Sequence, residues 1–343
     1  MNFASDNAYG ACPEILEAVV RSAEGSQPSY GEDACSTRLR ARLSEIFERD
    51  VYAFPVITGT AANSLALATL CPPHGAIFCH EEAHIATDEC AAPEFFTHGA
   101  KVVGIPGADG KVSPTAIASV LPHFSRGVHS AKPSVVSITQ LSELGTAYST
   151  EQIAQIGDFC RSNGLFLHMD GARFANALVS QNTSPAALSW RAGVDVLSFG
   201  ATKNGALSAE CVIFFDRALA GDFEYRRKKS GHLLSKMRFV SAQLEAYLAA
   251  DLWLTAAARA NRLAADMARA LLQLQGASLA HPVQGNQIFV YLPDRTVAHL
   301  RANGAKFYDW QRSRDGRTLI RLVTSFATPE GAVQQFVELA GNA

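Results

Sequence analysis

The chain predicts an α/β fold, a mainly parallel sheet flanked by helices with a smaller C-terminal α+β domain, and two observations carry that expectation. Seven short apolar runs, at 51–57, 76–79, 102–105, 134–139, 165–169, 194–199 and 212–215, alternate mostly with helical or turn-rich segments. After residue 241 the pattern changes to a long Ala/Leu-rich helical stretch and then to short strands and helices. The 343 residues, 48% of them hydrophobic, suffice for one large core and a second smaller one.

Each element has its own signal. Pro13 suits the first turn of a helix, and Ile15, Leu16, Val19 and Val20 then form an apolar stripe that runs out before Gly25. Ser36 can cap a second helix, in which Leu39, Leu43, Ile46 and Phe47 recur on one face. The run 51–57 ends in Thr58-Gly59-Thr60-Ala61-Ala62-Asn63, after which 64–70 reads as helix, and strands and helices alternate from there. The long helical stretch runs toward Leu274 and is broken by Gly276 and Pro282, which sets a domain boundary near residue 245. Beyond it, strands at 287–292 and 318–323 pair with helices near 297–302 and 329–340.

Composition excludes several functions. A formal net charge of −2 gives no field for a nucleic acid backbone, and the one basic cluster, Arg226-Arg227-Lys228-Lys229, fits a solvated helix face or an anion contact. Seven scattered cysteines, odd in number and without C-x-x-C spacing, indicate neither a disulfide framework nor a zinc knuckle, and point to a reducing cytoplasm. The first residues lack the basic-then-apolar pattern of a signal peptide, and no apolar run is long enough to span a bilayer. The expected partner is a small molecule, with no nucleic acid and no membrane.

Two stretches carry the chemistry. Leu167-His168-Met169-Asp170-Gly171-Ala172-Arg173 and Ser198-Phe199-Gly200-Ala201-Thr202-Lys203-Asn204 each follow an apolar run and set an Asp and a Lys about thirty residues apart. A pyridoxal 5'-phosphate (PLP) site needs that pair: an amine to form a Schiff base with the cofactor aldehyde, and a carboxylate to keep the pyridine nitrogen protonated. In open parallel sheets ligands lie beyond the carboxyl ends of the strands, where both residues fall. The Thr58–Ala61 turn, between a strand and a helix, presents backbone N–H groups to a phosphate, although many such turns bind nothing. Arg321 interrupts the apolar strand 318–323, so it either pairs with a buried acid or grips a substrate carboxylate in a bidentate fork.

His80-Glu81-Glu82-Ala83-His84 matches the zinc-protease pattern H-E-x-x-H and offers a rival, a zinc hydrolase. The first histidine closes an apolar strand-like run, which denies the motif its helical register. A second use of His84 is as an imidazole stacked on a flat cofactor ring, and the plain alternative is an ordinary loop histidine.

Taken together, Ser5-Asp6-Asn7, Tyr30-Gly31-Glu32-Asp33, Thr58–Asn63, Ala83-His84, His168–Arg173, Thr202-Lys203-Asn204-Gly205 and Arg321-Leu322-Val323-Thr324 resemble the L-threonine aldolase family, low-specificity type, among the aspartate-aminotransferase-like type I PLP enzymes. The resemblance runs in order from Ser5 to Thr324. It implies a type I PLP-dependent transferase-like fold with a mainly parallel seven-stranded sheet, an N-terminal segment 1–14 contributing to the active site, a large PLP-binding domain 15–245 and a small domain 246–343. It implies that Lys203 binds the cofactor covalently, Asp170 pairs with its ring nitrogen, Arg173 contacts its phenolic oxygen and His84 stacks on the ring. Gly59 and Thr60 hold the phosphate, helped by Lys229 or Arg238 from a neighbouring subunit. Ser5 and Arg321 bind the substrate carboxylate, and Tyr30 lines the pocket.

Where better-known members carry a histidine in a T-H-N-G stretch, this chain has Gln140-Leu141-Ser142-Glu143-Leu144-Gly145, which puts Glu143 at that place. The catalytic base is therefore open among His84, Glu143 and an ordered water. The implied reaction is retro-aldol cleavage of L-threonine, L-allo-threonine or a related β-hydroxy-α-amino acid such as phenylserine to glycine and an aldehyde. Another PLP lyase or a hydroxymethyltransferase is the alternative. The implied assembly is a cytoplasmic homo-oligomer with shared sites, at least a dimer, with a homotetramer common in the family.

Overall fold

In a computed structural model, which describes residues 1–312 and 315–343, a seven-stranded sheet carries the larger part of the chain. Its strands are β1 (Tyr52–Val56), β2 (Gly75–His80), β3 (Lys101–Ile105), β4 (Lys132–Thr139), β5 (Phe166–Gly171), β6 (Val196–Gly200) and β7 (Glu210–Phe214). Their order across the sheet is β1-β7-β6-β5-β4-β2-β3, and β7 alone runs against its neighbours. Strands β2, β6 and β7 are buried along their whole length, as strands covered on both faces are.

One face packs Ile77, Val135, Val196, Val212 and Phe214 against the helix Gly59–Leu70, which is buried nearly all round. The alternate residues, among them Phe78, Val136, Met169, Leu197 and Ile213, face the helices Ala34–Ile46, Thr150–Ser162, Phe174–Gln181 and Arg238–Leu248. The period-two alternation thus splits one set of strands between two cores.

A four-stranded antiparallel sheet, β8 (Ser278–Leu279), β9 (Gln287–Pro293), β10 (Tyr308–Arg312) and β11 (Arg317–Val323), forms the C-terminal part in the order β10-β11-β9-β8. It packs on the helices Asp294–Ala302 and Glu330–Gly341 around a separate cluster that includes Ile288, Val290, Leu300, Leu322 and Phe336. The N-terminus joins this part: Phe3 lies in the same cluster, and its carbonyl accepts the Val323 N–H at 2.8 Å.

Three local expectations are corrected. The second helix begins at Ala34, capped by Asp33, whose carboxylate takes the Ser36 N–H at 2.8 Å; an Asp three residues before the serine outcompetes it as the cap. The helix expected at 64–70 opens at Gly59, because Thr58 already caps it by accepting the Ala61 N–H. The stretch after Ser241 is two helices, Arg238–Leu248 and Leu252–Leu271, parted where Ala250 and Asp251 take left-handed φ angles of 48° and 54°. The second supplies Trp253 and Ala257 to the large core and Leu263 to Leu271 to the small one. Among the described residues no helix is long and apolar enough to cross a membrane.

Candidate active site

At the carboxyl ends of β5 and β6 the chain builds a cavity of about 280 Å3 lined by Asn7, Thr58–Thr60, His84, Asp170, Lys203 and Glu210, among others. Asp170 is the penultimate residue of β5 and is 4% exposed. One of its carboxylate oxygens accepts the Ala172 N–H at 2.9 Å and the other the Asn63 side-chain amide at 2.8 Å. β6 ends at Gly200 against the turn that follows Asp170. A Cβ there would stand 2.7 Å from the Ala172 Cα, so only glycine allows the approach that brings the two strand ends together.

Lys203 follows in a single 3-10 turn, Thr202–Asn204. Asn204 anchors that turn by donating to the Tyr247 hydroxyl at 2.9 Å and the Trp253 carbonyl at 2.8 Å. Burial, reinforced by the Arg173 guanidinium, holds the Lys203 ammonium below the usual lysine range, while Asp6, Asp170 and Glu210 pull the other way. Glu210, at the start of β7, accepts the Ala201 N–H at 3.1 Å, and burial pushes its carboxyl up to about 7.

Arg173 is held by an acid the N-terminal segment supplies. Its Nε and one terminal nitrogen donate to the two carboxylate oxygens of Asp6 at 2.8 and 3.0 Å, and Asn286 donates to Asp6 at 3.0 Å. Burial opposes the Asp6 charge, yet Arg173, Lys203 and these hydrogen bonds hold its carboxyl below the usual range. Arg321, in mid-strand β11, faces the same group of charges; burial and Arg173 depress it. One of its terminal nitrogens donates to the Ala4 carbonyl at 3.3 Å, its Nε is buried without a partner, and its guanidinium sits over the Tyr308 and Trp310 rings at 5.3 and 5.4 Å.

His84 opens the short helix His84–Thr87. Its Nδ1 lies 2.8 Å from Glu89 Oε1, and its backbone N–H donates to Glu143 Oε1 at 2.8 Å. Glu143 also takes the Thr139 hydroxyl at 2.9 Å, and burial pushes its carboxyl up to about 7. His80, by contrast, is the last residue of β2, and its Nε2 lies 3.0 Å from the Gly107 carbonyl oxygen. The two histidines of H-E-x-x-H therefore share no helix face, and among the described residues no His/Cys/Asp/Glu group of metal-holding arrangement occurs.

Comparison with known proteins fits this geometry. The Beta-eliminating lyase family model matches residues 2–295. Over 306 residues, 89% of this chain and 88% of the relative, the sequence is 44% identical to a low specificity L-threonine aldolase of Pseudomonas aeruginosa. The chain belongs to the low-specificity L-threonine aldolase family. Another such aldolase, of Pseudomonas sp., is 40% identical over 97% of this chain and 95% of its own length. A threonine aldolase of Leishmania major superposes with a TM-score of 0.94 at 31% identity, covering 99% of this chain and 98% of that one.

The cavity fits the PLP that this family and type I fold imply. Gly59 and Thr60 lie in the first turn of a 12-residue helix, where amide N–H groups have no intrahelical acceptor, and a Cβ at Gly59 would meet nothing within 4 Å. A buried amine and a buried carboxylate line the same space. Not every residue the resemblance named comes to it within one aldolase chain. Ser5 caps the turn Asp6–Ala8, beside Asp6. Tyr30 lines a different cavity, with the Lys228 ammonium 4.6 Å over its ring. Lys229 and Arg238 line two further surface cavities.

Sequence reasoning missed Asp6, Glu89 and Glu210 as members of the site. Glu210 stands at one end of a buried apolar run, as Asp170 does, so the same signal was there to find it. Glu89 carried none, since its five-residue spacing from His84 follows no regular element.

Proposed function

We propose that the chain is a PLP-dependent carbon–carbon lyase that cleaves L-threonine or L-allo-threonine, or a related β-hydroxy-α-amino acid, to glycine and an aldehyde. The observation that carries this reading is the buried Lys203 amine and Asp170 carboxylate lining one cavity at the strand ends, in a chain 44% identical to a low specificity L-threonine aldolase.

Lys203 would hold the cofactor covalently, Asp170 its ring nitrogen, Arg173 its phenolic oxygen, His84 the ring face, and Gly59 and Thr60 the phosphate. When bound, the cofactor supplies an electron sink for the pair released as the Cα–Cβ bond breaks. The chain's residues do the rest. Burial, reinforced by Arg173, lowers the basicity of the Lys203 amine and so favours the unprotonated form that reacts as a nucleophile. Arg321 and Ser5 would bind the substrate carboxylate and so orient the bonds at Cα of the bound amino acid. His84 takes the β-hydroxyl proton. Glu143 supports it from behind: its Oε1 is taken by the His84 N–H and the Thr139 hydroxyl.

The seven cysteines are all free, which supports a reducing cytoplasm. The exposed Lys229 and the half-buried Arg238 do not line the cavity of their own chain, so the phosphate contact implied for them would be made across an interface, in a homo-oligomer, a dimer or tetramer.

Borohydride reduction of the purified holoenzyme followed by peptide mass mapping tests the reading. The pyridoxyl mass is expected on the peptide containing Lys203, and Lys203→Ala is expected to lose both that label and aldehyde release from L-threonine. A label on another lysine, or aldehyde release that survives in Lys203→Ala, refutes it.

A further inference from the structure

A carboxylate outside the family motifs stands behind His84. Glu89 is 4% exposed, and its Oε1 lies 2.8 Å from His84 Nδ1. The same oxygen accepts the Asn63 side-chain N–H at 2.8 Å, while that amide's other hydrogen goes to Asp170 at 2.8 Å. Asn63 is 2% exposed and sits in the helix Gly59–Leu70, so a buried residue of a regular element pins the Glu89 oxygen that meets His84. An oxygen already accepting one N–H, and buried, is satisfied best by a second donor, which assigns the hydrogen to His84 Nδ1 and leaves Nε2 without one.

We propose that Glu89 is a positioning residue for this aldolase: it fixes the His84 imidazole in the Nδ1–H form and leaves Nε2 as the atom that receives a proton from the substrate. The pair has the logic of any base oriented by a buried acid. An imidazole free to turn would spend part of its time with the hydrogen on Nε2, where it cannot accept. The charged groups facing the ring are Glu89 from its own loop, Asp170 from β5 and Lys203 from the turn after β6, with Glu143 on the backbone N–H. The hydrogen bond to Glu89 is the largest influence on the ring and raises its basicity; Asp170 acts in the same sense and Lys203 opposes it.

The catalytic part rests on the function proposed above, and the tautomer does not. Two readouts keep them apart. In 15N-histidine NMR of the cofactor-free protein, with His84 assigned by loss of its signals in His84→Asn, the wild type is expected in the Nδ1–H form. Glu89→Ala is expected to convert it to a mixture dominated by Nε2–H and to lower its titration midpoint. Glu89→Gln, which keeps the shape and one acceptor oxygen, is expected to keep the tautomer while the midpoint still falls. In the holoenzyme, kcat for L-threonine is expected to drop about 10-fold in Glu89→Gln and about 100-fold in Glu89→Ala, with KM changed less than about threefold. An unchanged His84 tautomer in Glu89→Ala overturns the proposal. So does a loss confined to KM, or a tautomer switch with full kcat. If Glu89→Ala does not fold, the midpoint and kcat of Glu89→Gln decide.

Discussion

His168 ties together the three strands that carry the site, and its titration makes a quantitative prediction. It is fully buried in β5, its Nδ1 2.9 Å from the Ser137 hydroxyl of β4 and its Nε2 3.0 Å from the Ser198 hydroxyl of β6. Burial, weakly opposed by Asp170, brings its pKa down to about 4. An unfolded chain holds the same imidazole near 6.5. Since the folded value is the lower one, the unfolded state binds more protons in mild acid. The stability this group contributes is therefore complete above pH 6.5 and is lost as pH falls toward 4. A gap of about 2.5 pH units corresponds to about 3 kcal/mol, most of which is lost by pH 4.5.

Urea unfolding of the wild type and of His168→Gln at pH 7.5 and pH 4.5 reads this out. Glutamine keeps a donor and an acceptor between the serines but cannot be protonated. At pH 7.5 the variant is expected to be less stable by about 1–3 kcal/mol, for imperfect packing and hydrogen bonding. At pH 4.5 that difference is expected to shrink or invert by about 2–3 kcal/mol. The wild-type curve alone would mislead, because Glu143 and Glu210, both pushed from 4.5 up to about 7, oppose folding increasingly as pH rises from 4.5 to about 7 and relax as it falls back through that window. The difference between the two proteins cancels them. A difference that is the same at both pH values refutes the assignment of His168 as a buried neutral imidazole.

Arg321→Ala is expected to raise KM for L-threonine about 100-fold with cofactor retention unchanged, since a bidentate pair to a carboxylate contributes about 3 kcal/mol in a desolvated site; steady-state kinetics with an absorbance check of bound cofactor measures this, and a normal KM removes Arg321 from the substrate site. Sedimentation of the active holoenzyme is expected to show a dimer or a tetramer, and a fully active monomer would contradict subunit sharing of the phosphate site.

The parallel sheet was legible because most of its strands are buried on both faces, so they appear as predominantly apolar runs, interrupted only by residues such as Ser137, His168 and Ser198 that satisfy one another. The Asp170 and Lys203 stretches stood out for the same reason: a charged residue at the end of such a run has to be stabilised by something. What stayed hidden was the pairing partner. Asp6 lies in the quoted Ser5-Asp6-Asn7 motif, but that it meets Arg173 across 167 residues follows from the docking of the N-terminal segment on β11, which no local pattern encodes. Tyr30 shows the converse. Its motif was recognised, yet within one chain it turns to Lys228, with a left-handed φ of 58° that the sequence does not announce.

Burial lowers the basicity of Lys203, and the surrounding charge both adds to that and would favour the two anions the proposed function requires, a phosphate and an amino acid carboxylate. A cationic environment does both, since it raises the cost of the Lys203 proton and favours anionic ligands. Arg173 supplies that cation, but a buried guanidinium must itself be compensated. Asp6 compensates it with two parallel hydrogen bonds and is held ionised by Arg173 and Lys203. The remaining acids are of another kind. Glu143 and Glu210, raised to about 7 by burial, are poised to be neutral or charged near physiological pH. Glu210 lines the cavity and Glu143 holds the His84 backbone beside it, whereas Asp6 is held below the usual range next to Arg173. Substituting Asp6 would thus remove more than an ion pair, because Arg173 would be left to drive Lys203 and Arg321 further from their ordinary values, and the geometry that makes the amine available would lose the counterion that keeps it folded.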